Sequence, residues 1–242
     1  MKKNLIIVVC LIASTIAFGH GKPTNDSTPA EFKGSKNIET IVSTDNSLLV
    51  NKYLKEYMVI PSRVAECGYE GTEIVQFTVT REGNVSNFKV VNSVCPELDN
   101  EVIKVLKNTN GMWKPGFQDG EPVATTKEVS FMFGDRSSET IATHFTNEAA
   151  KFYRGGNKNL FVKNKPEKAI KYYNLAIRYL PNDPALLSMR GICYYELGNV
   201  ENAKKDWNRV AMLGGTNAIE IDYDLANMAG YAEMTEILAK TK

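Results

Sequence analysis

The pattern of apolar and polar residues divides the chain into a first part with strand periodicity and a second part that is helical throughout. After residue 47, apolar residues recur at helical spacing and predict a short amphipathic helix. This helix is expected to end before Pro61, because a proline disfavours helical geometry at the residue before it. Residues 72–80 and 85–94 then alternate with a period of two, and the turn residues between them predict a β-hairpin.

A second helix and a third strand follow the hairpin. After Pro96, apolar residues again recur at helical spacing, and acidic residues stand in the first turn, where the helix dipole favours them. Asn110 and Gly111 end this helix, and residues 128–133 alternate once more. The order helix, strand, strand, helix, strand predicts a small α+β domain over residues 46–136, with one antiparallel sheet backed by helices.

From residue 142 to residue 242 the pattern is purely helical, and two stretches repeat at an offset of 34 residues. Four positions of the first stretch have counterparts in the second. They are Ala169, Tyr173, Ala176 and Pro181, which correspond to Ala203, Trp207, Val210 and Gly215. A helix-turn-helix repeat of this length predicts a solenoid whose units stack on one another, with residues 222–238 as a capping helix.

The first residues of the chain have the composition of an export signal. Lys2 and Lys3 precede an apolar run, which ends in small residues around Gly19. The run is shorter than the roughly 20 apolar residues that a membrane-spanning helix requires. We therefore expect residues 1–19 to be a cleavable signal peptide and the mature protein to be soluble outside the cytoplasm. The polar residues 20–45 that follow predict a flexible linker.

Composition argues against several classes of function. The 29 Lys and Arg residues nearly balance the 28 Asp and Glu residues, which gives no reason to expect nucleic acid as a partner. His20 and His144 are far apart, which nearly excludes a metal or catalytic site built on histidine. The carboxylates of Glu97, Asp99 and Glu101 are explained by the helix dipole. We therefore expect no enzyme activity and no cofactor.

Three cysteines, Cys67, Cys95 and Cys193, remain once the signal is removed, and export places them in an oxidising compartment. In the predicted hairpin register, Cys67 and Cys95 fall near each other at the open end, as a disulfide requires. We therefore predict a Cys67–Cys95 disulfide, with two reduced cysteines in the core as the alternative. Cys193 falls in a repeat helix, where a buried free thiol is expected.

Several short motifs occur in order between residues 47 and 135. They are Tyr57…Ile60-Pro61, Cys67-Gly68-Tyr69-Glu70-Gly71-Thr72, Val75-Gln76-Phe77-Thr78-Val79, Glu82-Gly83-Asn84-Val85, Val90-Val91, Pro96-Glu97-Leu98-Asp99, Trp113-Lys114-Pro115-Gly116 and Asp119-Gly120-Glu121-Pro122-Val123. Each motif alone is weak, but in this order and spacing they are specific. Together they resemble a TonB C-terminal domain.

The TonB resemblance implies a mode of binding. Such domains lie in the periplasm of double-membraned bacteria and bind outer-membrane receptors, whose short peptide adds a strand to the edge of the sheet. The matching edge is the last predicted strand, whose alternation is expected to bury Val129, Phe131 and Phe133. Ser130 and Met132 are expected to face outward. The alternative is an edge covered by the chain's own neighbouring residues or by a second copy.

Residues 145–217 resemble a pair of tetratricopeptide (TPR) repeats, through the repeated positions named above. The second repeat is the better match, since the first has Asn157 where glycine or alanine is usual. The resemblance implies a concave groove that binds a peptide or protein. The groove positions are Lys151, Arg154, Lys158, Ser188, Ile192 and Tyr195. Their basic residues favour an acidic peptide, with a solvated charged face as the alternative.

These features together predict a periplasmic protein-binding adaptor of the cell envelope. The TonB-like domain is expected to bind one partner by strand addition, with outer-membrane TonB-dependent receptors among the candidates, and the TPR module a second protein or peptide. The first alternative is an energy transducer for outer-membrane transport, which would keep its N-terminal segment as an inner-membrane anchor facing the periplasm. The second alternative is a TonB-like domain that serves homodimerisation only.

Overall fold

The computed structural model describes residues 5–9, 27–33, 47–66, 69–135, 141–214 and 223–240. The chain divides into two compact units, residues 1–137 and residues 138–242, and each unit is described by itself. For residues 5–9 the description covers the backbone alone.

The first unit is built on an antiparallel sheet with helices packed against it. Its strands and helices, in chain order, are β1 (Leu5–Val9), β2 (Glu31–Phe32), α1 (Ser47–Tyr57), α2 (Ser62–Glu66), β3 (Gly71–Val79), β4 (Val85–Asn92), α3 (Pro96–Lys107), β5 (Trp113–Lys114), β6 (Gly116–Gln118), β7 (Glu121–Val123) and β8 (Thr125–Asp135). The main sheet has the order β1-β8-β3-β4, and every neighbouring pair in it is antiparallel. The predicted antiparallel α+β domain is therefore confirmed.

The core of the first unit lies between β3, β8 and the apolar face of α3. Val75, Phe77 and Val79 of β3 are at most 1% exposed, as their alternation predicts. Leu98 and Val102 of α3 belong to the same buried cluster. Burial of a side chain of this size contributes about 1.5–3 kcal/mol, so these periodic positions supply much of the stability of the unit.

The hairpin turn between β3 and β4 lies very close to the chain that enters β5. Gly83 in this turn has a φ of +80°, in the left-handed region that favours glycine. Its carbonyl oxygen accepts a hydrogen bond of 3.2 Å from the Gly111 N–H. A Cβ added at residue 83 would lie 2.2 Å from the carbonyl oxygen of Trp113. Only glycine therefore fits here without a shift of the backbone.

Gly83→Ala is expected to lower the free energy of unfolding by about 3 kcal/mol or more, measured by chemical denaturation. The left-handed conformation alone costs a non-glycine residue about 1–2 kcal/mol, and the contact with Trp113 adds to this cost. Gly120→Ala is the matched control, since Gly120 has a φ of +81° but an added Cβ there meets no atom within 4 Å. Equal losses in the two variants would contradict the close packing of the turn.

Part of the predicted flexible linker at residues 20–45 is packed into the core, which corrects that prediction for residues 27–33. Phe32 of β2 lies opposite Trp113 of β5 and is only 2% exposed. Its ring centroid is 5.1 Å from that of Trp113 and 5.6 Å from that of Tyr53. Phe32 anchors this segment together with the buried Ala30 and the backbone hydrogen bonds between Thr28 and Phe117, and the polar composition of the segment concealed these contacts. The other residues of the predicted linker lie outside the described residues.

The second unit consists of helices that pack on their neighbours in the chain. Its elements are α4 (Ile141–Asn157), a π-helical segment (Lys158–Val162), α5 (Pro166–Tyr179), α6 (Pro184–Glu196), α7 (Val200–Met212), α8 (Tyr223–Ala226) and α9 (Gly230–Ala239). Ala169 and its counterpart Ala203 are fully buried, and so are Tyr173 and Trp207. These two pairs therefore occupy equivalent buried positions in α5 and α7, whereas Gly215, the counterpart of Pro181, lies outside the described residues.

The two repeated stretches differ by one residue, and the π-helical segment takes up the difference. Gly191 lies against Trp207, where an added Cβ would be 2.3 Å from the indole nitrogen. Gly156 has the same role against the ring of Tyr173. The first stretch therefore has one residue more between Gly156 and its turn at Asn164 than the second has between Gly191 and its turn at Gly198. A π-helical turn inserts one residue into an α-helix, and Lys158–Val162 has that geometry.

Asn157, which departs from the TPR pattern, is accommodated by a hydrogen bond. Its side-chain oxygen accepts a bond of 2.8 Å from the Tyr173 hydroxyl. The turns that follow the two stretches are again equivalent, since Asn164 and Gly198 both have a positive φ, of 48° and 75°. Asparagine is one of the few non-glycine residues that tolerate this conformation.

The predicted single capping helix over residues 222–238 is two helices, α8 and α9. The backbone leaves helical geometry between them, and the N–H of Ala229 donates a hydrogen bond of 2.9 Å to the Glu196 carboxylate. Gly230, the first residue of α9, then packs closely on Tyr195 of α6. The break is therefore stabilised by a tertiary contact that the helical pattern of the segment does not reveal.

Candidate functional site

The strand that the TonB resemblance assigns to partner binding, β8, is firmly held on its inner side. Residues 71–79 of β3 pair with residues 125–133 of β8 without a register shift. Val129, Phe131 and Phe133 are buried in the core below this ladder. The backbone of β8 is therefore fixed before any partner binds to its outer edge.

The outer edge of β8 is paired over its last five residues. β1 lies antiparallel to it, with Val9 opposite Phe131, Val8 opposite Met132 and Leu5 opposite Asp135. The residues that form β1 belong to the segment predicted to be a signal peptide. In the full chain the edge is thus covered by the chain's own residues, the arrangement given above as the alternative to a free edge.

The prediction that Ser130 of β8 faces outward is wrong. Ser130 is only 7% exposed, while Met132, predicted to face outward as well, is partly exposed. Ser130 lies opposite Ile74 of β3, which is fully buried although it does not belong to the face of Val75. The sheet therefore buries side chains on both faces at this point, and alternation does not separate buried from exposed positions there.

A buried carboxyl group lies next to β8, and the sequence analysis missed it. Glu73 of β3 is fully buried and lies opposite Phe131 in the register. One of its carboxyl oxygens accepts a hydrogen bond of 2.8 Å from the Val94 N–H. The other oxygen has no hydrogen-bond partner among the described residues. In the sequence, the burial of Glu73 is indicated only by its position, because Glu73 alternates with Val75 and Phe77 on the core face of the strand.

The protonation of Glu73 follows from this environment. Burial disfavours the charged form and raises the pKa of the Glu73 carboxyl to about 9. The Val94 N–H opposes this shift, while the negative charge of Asp99 raises the pKa further. Asp99 itself accepts a hydrogen bond of 2.8 Å from Ser93, beside the start of α3. Glu73 is therefore a neutral acid at pH 7.

The cysteines are described only in part. Cys95 is buried just before α3 and forms no disulfide with another described residue, and burial raises the pKa of its thiol. Its predicted disulfide partner Cys67 lies outside the described residues, so the Cys67–Cys95 bridge remains a prediction. Cys193 is a buried free thiol in α6, and burial raises its pKa to about 12. A thiol with so high a pKa does not form the reactive thiolate at neutral pH.

The predicted groove residues of the helical unit fall into two groups that the structure does not bring into one surface. Lys151, Arg154 and Lys158 are exposed on α4 and the π-helical segment that continues it. Ser188 and Ile192 of α6 are fully buried, and Tyr195 is half-buried against Trp207. The reason is that these α6 positions face α7 and α9, which fill the space of the predicted groove at this end.

A cavity of about 210 Å³ lies instead between α4 and the start of α6. From α4 it is lined by Thr146, Ala149, Ala150 and Tyr153, and from the α5–α6 turn and α6 by Leu180, Asp183, Ala185 and Leu186. Most of this surface is apolar. Asp183 also caps α6, since its carboxylate accepts a hydrogen bond of 2.9 Å from the Leu186 N–H. The alanines that make room for the cavity carry no sequence signal of their own.

A polar network joins three successive helices of the unit. Arg190 of α6 donates two hydrogen bonds, of 2.7 and 2.8 Å, to the two carboxylate oxygens of Asp206 in α7. It donates a third, of 2.8 Å, to the side chain of Asn174 in α5. Asp206 is buried, and a buried charge without its partner is strongly destabilising. The two parallel hydrogen bonds therefore stabilise the packing of the helices only while both charges are present.

Among the described residues, no helix combines the length and the apolar character needed to cross a membrane. Within the same ranges, no group of three or more His, Cys, Asp or Glu side chains could hold a metal ion.

Comparison with known families identifies part of the first unit. Residues 56–134 match the family described as Gram-negative bacterial TonB protein C-terminal. The match includes the hairpin, α3 and nearly all of β8, and the helical unit lies outside it. No curated protein and no solved structure matches the chain. Over these residues the first unit therefore matches a family of domains that act in the cell envelope through interactions with proteins.

Proposed function

We propose that the protein is a periplasmic protein-binding adaptor of the cell envelope and not an enzyme. The TonB-type domain binds one partner by addition of a strand to the outer edge of β8. The helical unit binds a second protein or peptide, as TPR modules do. The observation that carries the proposal is the pairing of β8 with an extended apolar segment, residues 5–9, along this edge.

The construction of β8 supports strand addition. Its inner side is paired along nine residues with β3, so its outer N–H and C=O groups have fixed positions. When a partner strand binds, only the partner loses conformational freedom, because the receiving edge is already ordered. This lowers the entropic cost of association. Main-chain hydrogen bonds supply affinity in this mode, and alternate side chains supply specificity.

The helical unit supports the second binding function by its repeated construction. Equivalent glycines, Gly156 and Gly191, allow close contact between the helices of each stretch. The cavity beside α4 is of a size to accept an apolar side chain, and Ala150 in its wall is one turn before Arg154. Arg154 and Lys158 are exposed on α4 and the segment that continues it, as is Lys151 with its partner Glu148 at 3.1 Å, and this basic character favours an acidic ligand.

Strand addition can be tested with peptides that carry the sequence of residues 5–9 between short lysine tails. The receiving protein is the chain that begins at His20, whose folded state is checked by circular dichroism. Alternate amides of a strand point in opposite directions, so only one set faces β8. N-methylation of Ile6 and Val8 is compared with N-methylation of Ile7 and Val9. We expect one methylated peptide to lose binding at least about tenfold in fluorescence anisotropy and the other to bind like the parent.

The two methylated peptides are each other's control, because they have the same composition and hydrophobicity. Equal affinity of both peptides would show that binding does not use a β-ladder. No binding of the unmodified peptide would overturn the proposal for the edge of β8.

A further inference from the structure

The amino-acid composition of the segment that covers β8 favours a β-strand. β1 has the sequence Leu-Ile-Ile-Val-Val, without a charge, and four of its five residues are β-branched. Such residues favour extended backbone and resist other conformations. All five pair with β8 in one continuous antiparallel register, from Leu5 opposite Asp135 to Val9 opposite Phe131.

The covered part of β8 would be a hazard if it were open. Phe131, Met132 and Phe133 form an apolar run, and Gly134 after them is buried and adds no charge. An open apolar edge pairs readily with other strands and promotes aggregation. Natural sheets usually protect such an edge with charges, prolines or bulges, and this stretch has none of them before Asp135.

We propose that Leu5–Val9 is a built-in occupant of the edge of β8, which closes the edge in the full chain. A partner strand of the same chemistry, uncharged, aliphatic and antiparallel, takes its place once the segment is removed or displaced. The inference rests on the proposed function and adds its regulation and the class of partner. Removal of residues 1–19 would then convert a protected precursor into a binding-competent protein.

The covalent connection explains why the segment closes the edge effectively. A segment of the same chain is present at an effective concentration in the mM range, well above that of a free partner. A partner must therefore compete with it, and the apparent affinity of the partner is its intrinsic affinity multiplied by the fraction of chains in which the edge is open. We expect the full chain to bind a partner strand at least about tenfold more weakly than the processed chain.

The register itself can be tested by disulfide crosslinking of the full chain. Val8 and Met132 are directly opposite each other. Opposed residues have close Cβ atoms on one face of the sheet, whereas a neighbour along the strand points to the other face. Val8→Cys with Met132→Cys should therefore crosslink on oxidation, and Ile7→Cys with Met132→Cys should not. Mass spectrometry of the linked peptides distinguishes this bridge from those of the native cysteines.

The crosslinking result has three informative outcomes. A bridge in the monomer band for the opposed pair alone supports the proposal. A bridge found only in a dimer band would assign the edge to a second copy and overturn it. The absence of a bridge, or equal bridging of both pairs, would also overturn it.

Occupation of the β8 edge by Leu5–Val9 is tested by measuring how the peptide of residues 5–9 binds to three forms of the protein. The forms are the full chain, the chain that begins at His20, and the full chain with Ile7→Pro and Val8→Pro. Two successive prolines remove a donor on each side of the strand, so one of them faces β8. We expect the second and third forms to bind at least about tenfold more tightly than the first. The control Ile7→Val with Val8→Ile keeps every donor and should behave like the full chain.

The outcomes separate the two proposals. If the full chain and the processed chain bind the peptide equally, the built-in occupant is wrong while strand addition stands. If none of the three forms binds the peptide, strand addition is wrong, and crosslinking still reports whether Leu5–Val9 covers the edge.

Discussion

Asp206→Ala is expected to lower the free energy of unfolding of the helical unit by about 3–5 kcal/mol. Arg190 is largely buried, with 20% of its side chain exposed, and Asp206 binds two of its nitrogens. Removal of the carboxylate leaves the guanidinium charge without its counter-charge in a poorly solvated position, where its hydrogen bond to Asn174 remains. The loss is measured by denaturant titration, with hydrogen exchange of α5–α7 peptides to locate it.

Two controls distinguish the loss of a charge partner from a general disturbance. Arg190→Met with Asp206→Leu removes both charges and should be markedly less destabilising than Asp206→Ala. Glu236→Ala removes one partner of the exposed Lys240–Glu236 pair and should change stability far less than Asp206→Ala, because solvent screens exposed pairs. A double variant as unstable as Asp206→Ala would mean that packing, and not charge, decides the effect.

Glu73→Gln is expected to stabilise the first unit at pH 7–8 and to flatten its dependence on pH. The pKa of Glu73 is about 9 in the folded protein and near 4.5 in the unfolded chain, so the folded state holds a proton that the unfolded state releases. The stability contribution is therefore complete below pH 4.5 and is lost as the pH rises towards 9. Within this window the slope approaches about 1.4 kcal/mol per pH unit, which amounts to a few kcal/mol at pH 7.

The measurement is a series of denaturation curves between pH 5 and pH 9 for the wild type and Glu73→Gln. Glutamine keeps the shape of the protonated side chain and does not titrate, so its curve should lose most of the slope. Glu121→Gln, at an exposed position of the β6–β7 hairpin, is the control for the same substitution outside the core. Equal slopes for the wild type and Glu73→Gln would show that Glu73 is already ionised at neutral pH.

The regular elements could be predicted because each leaves a local pattern. The period of two in β3 and the helical spacing of α3 both persist over eight or more residues, and the structure confirms them. The turn at Gly83 was predicted from turn residues, but its approach to Trp113 was not, because that contact joins residues far apart in the chain. The same limit hid the short β6–β7 hairpin, whose turn residues Asp119 and Gly120 entered the sequence analysis only as part of a motif.

The candidate site was predicted less completely than the fold. The resemblance pointed to β8, but only pairing in three dimensions shows that Leu5–Val9 lies on its edge. In the helical unit, the TPR resemblance implied a groove with Ile192 on it, whereas that residue is fully buried and lies close to Gly230 of α9. The cavity beside α4 arises where small side chains face each other, and neither helix alone indicates it.

The sequence by itself determined the order and type of the main elements, the two-part construction and the resemblance of the first part to a TonB C-terminal domain. These properties depend on local periodicity and on motif order, which are present in every short stretch of the chain. The tertiary structure alone decided that Phe32 anchors a polar segment, that Glu73 is a buried neutral acid and that the edge of β8 is covered by β1. Each of these depends on which distant residues share an environment, because burial and edge pairing are properties of the packed chain.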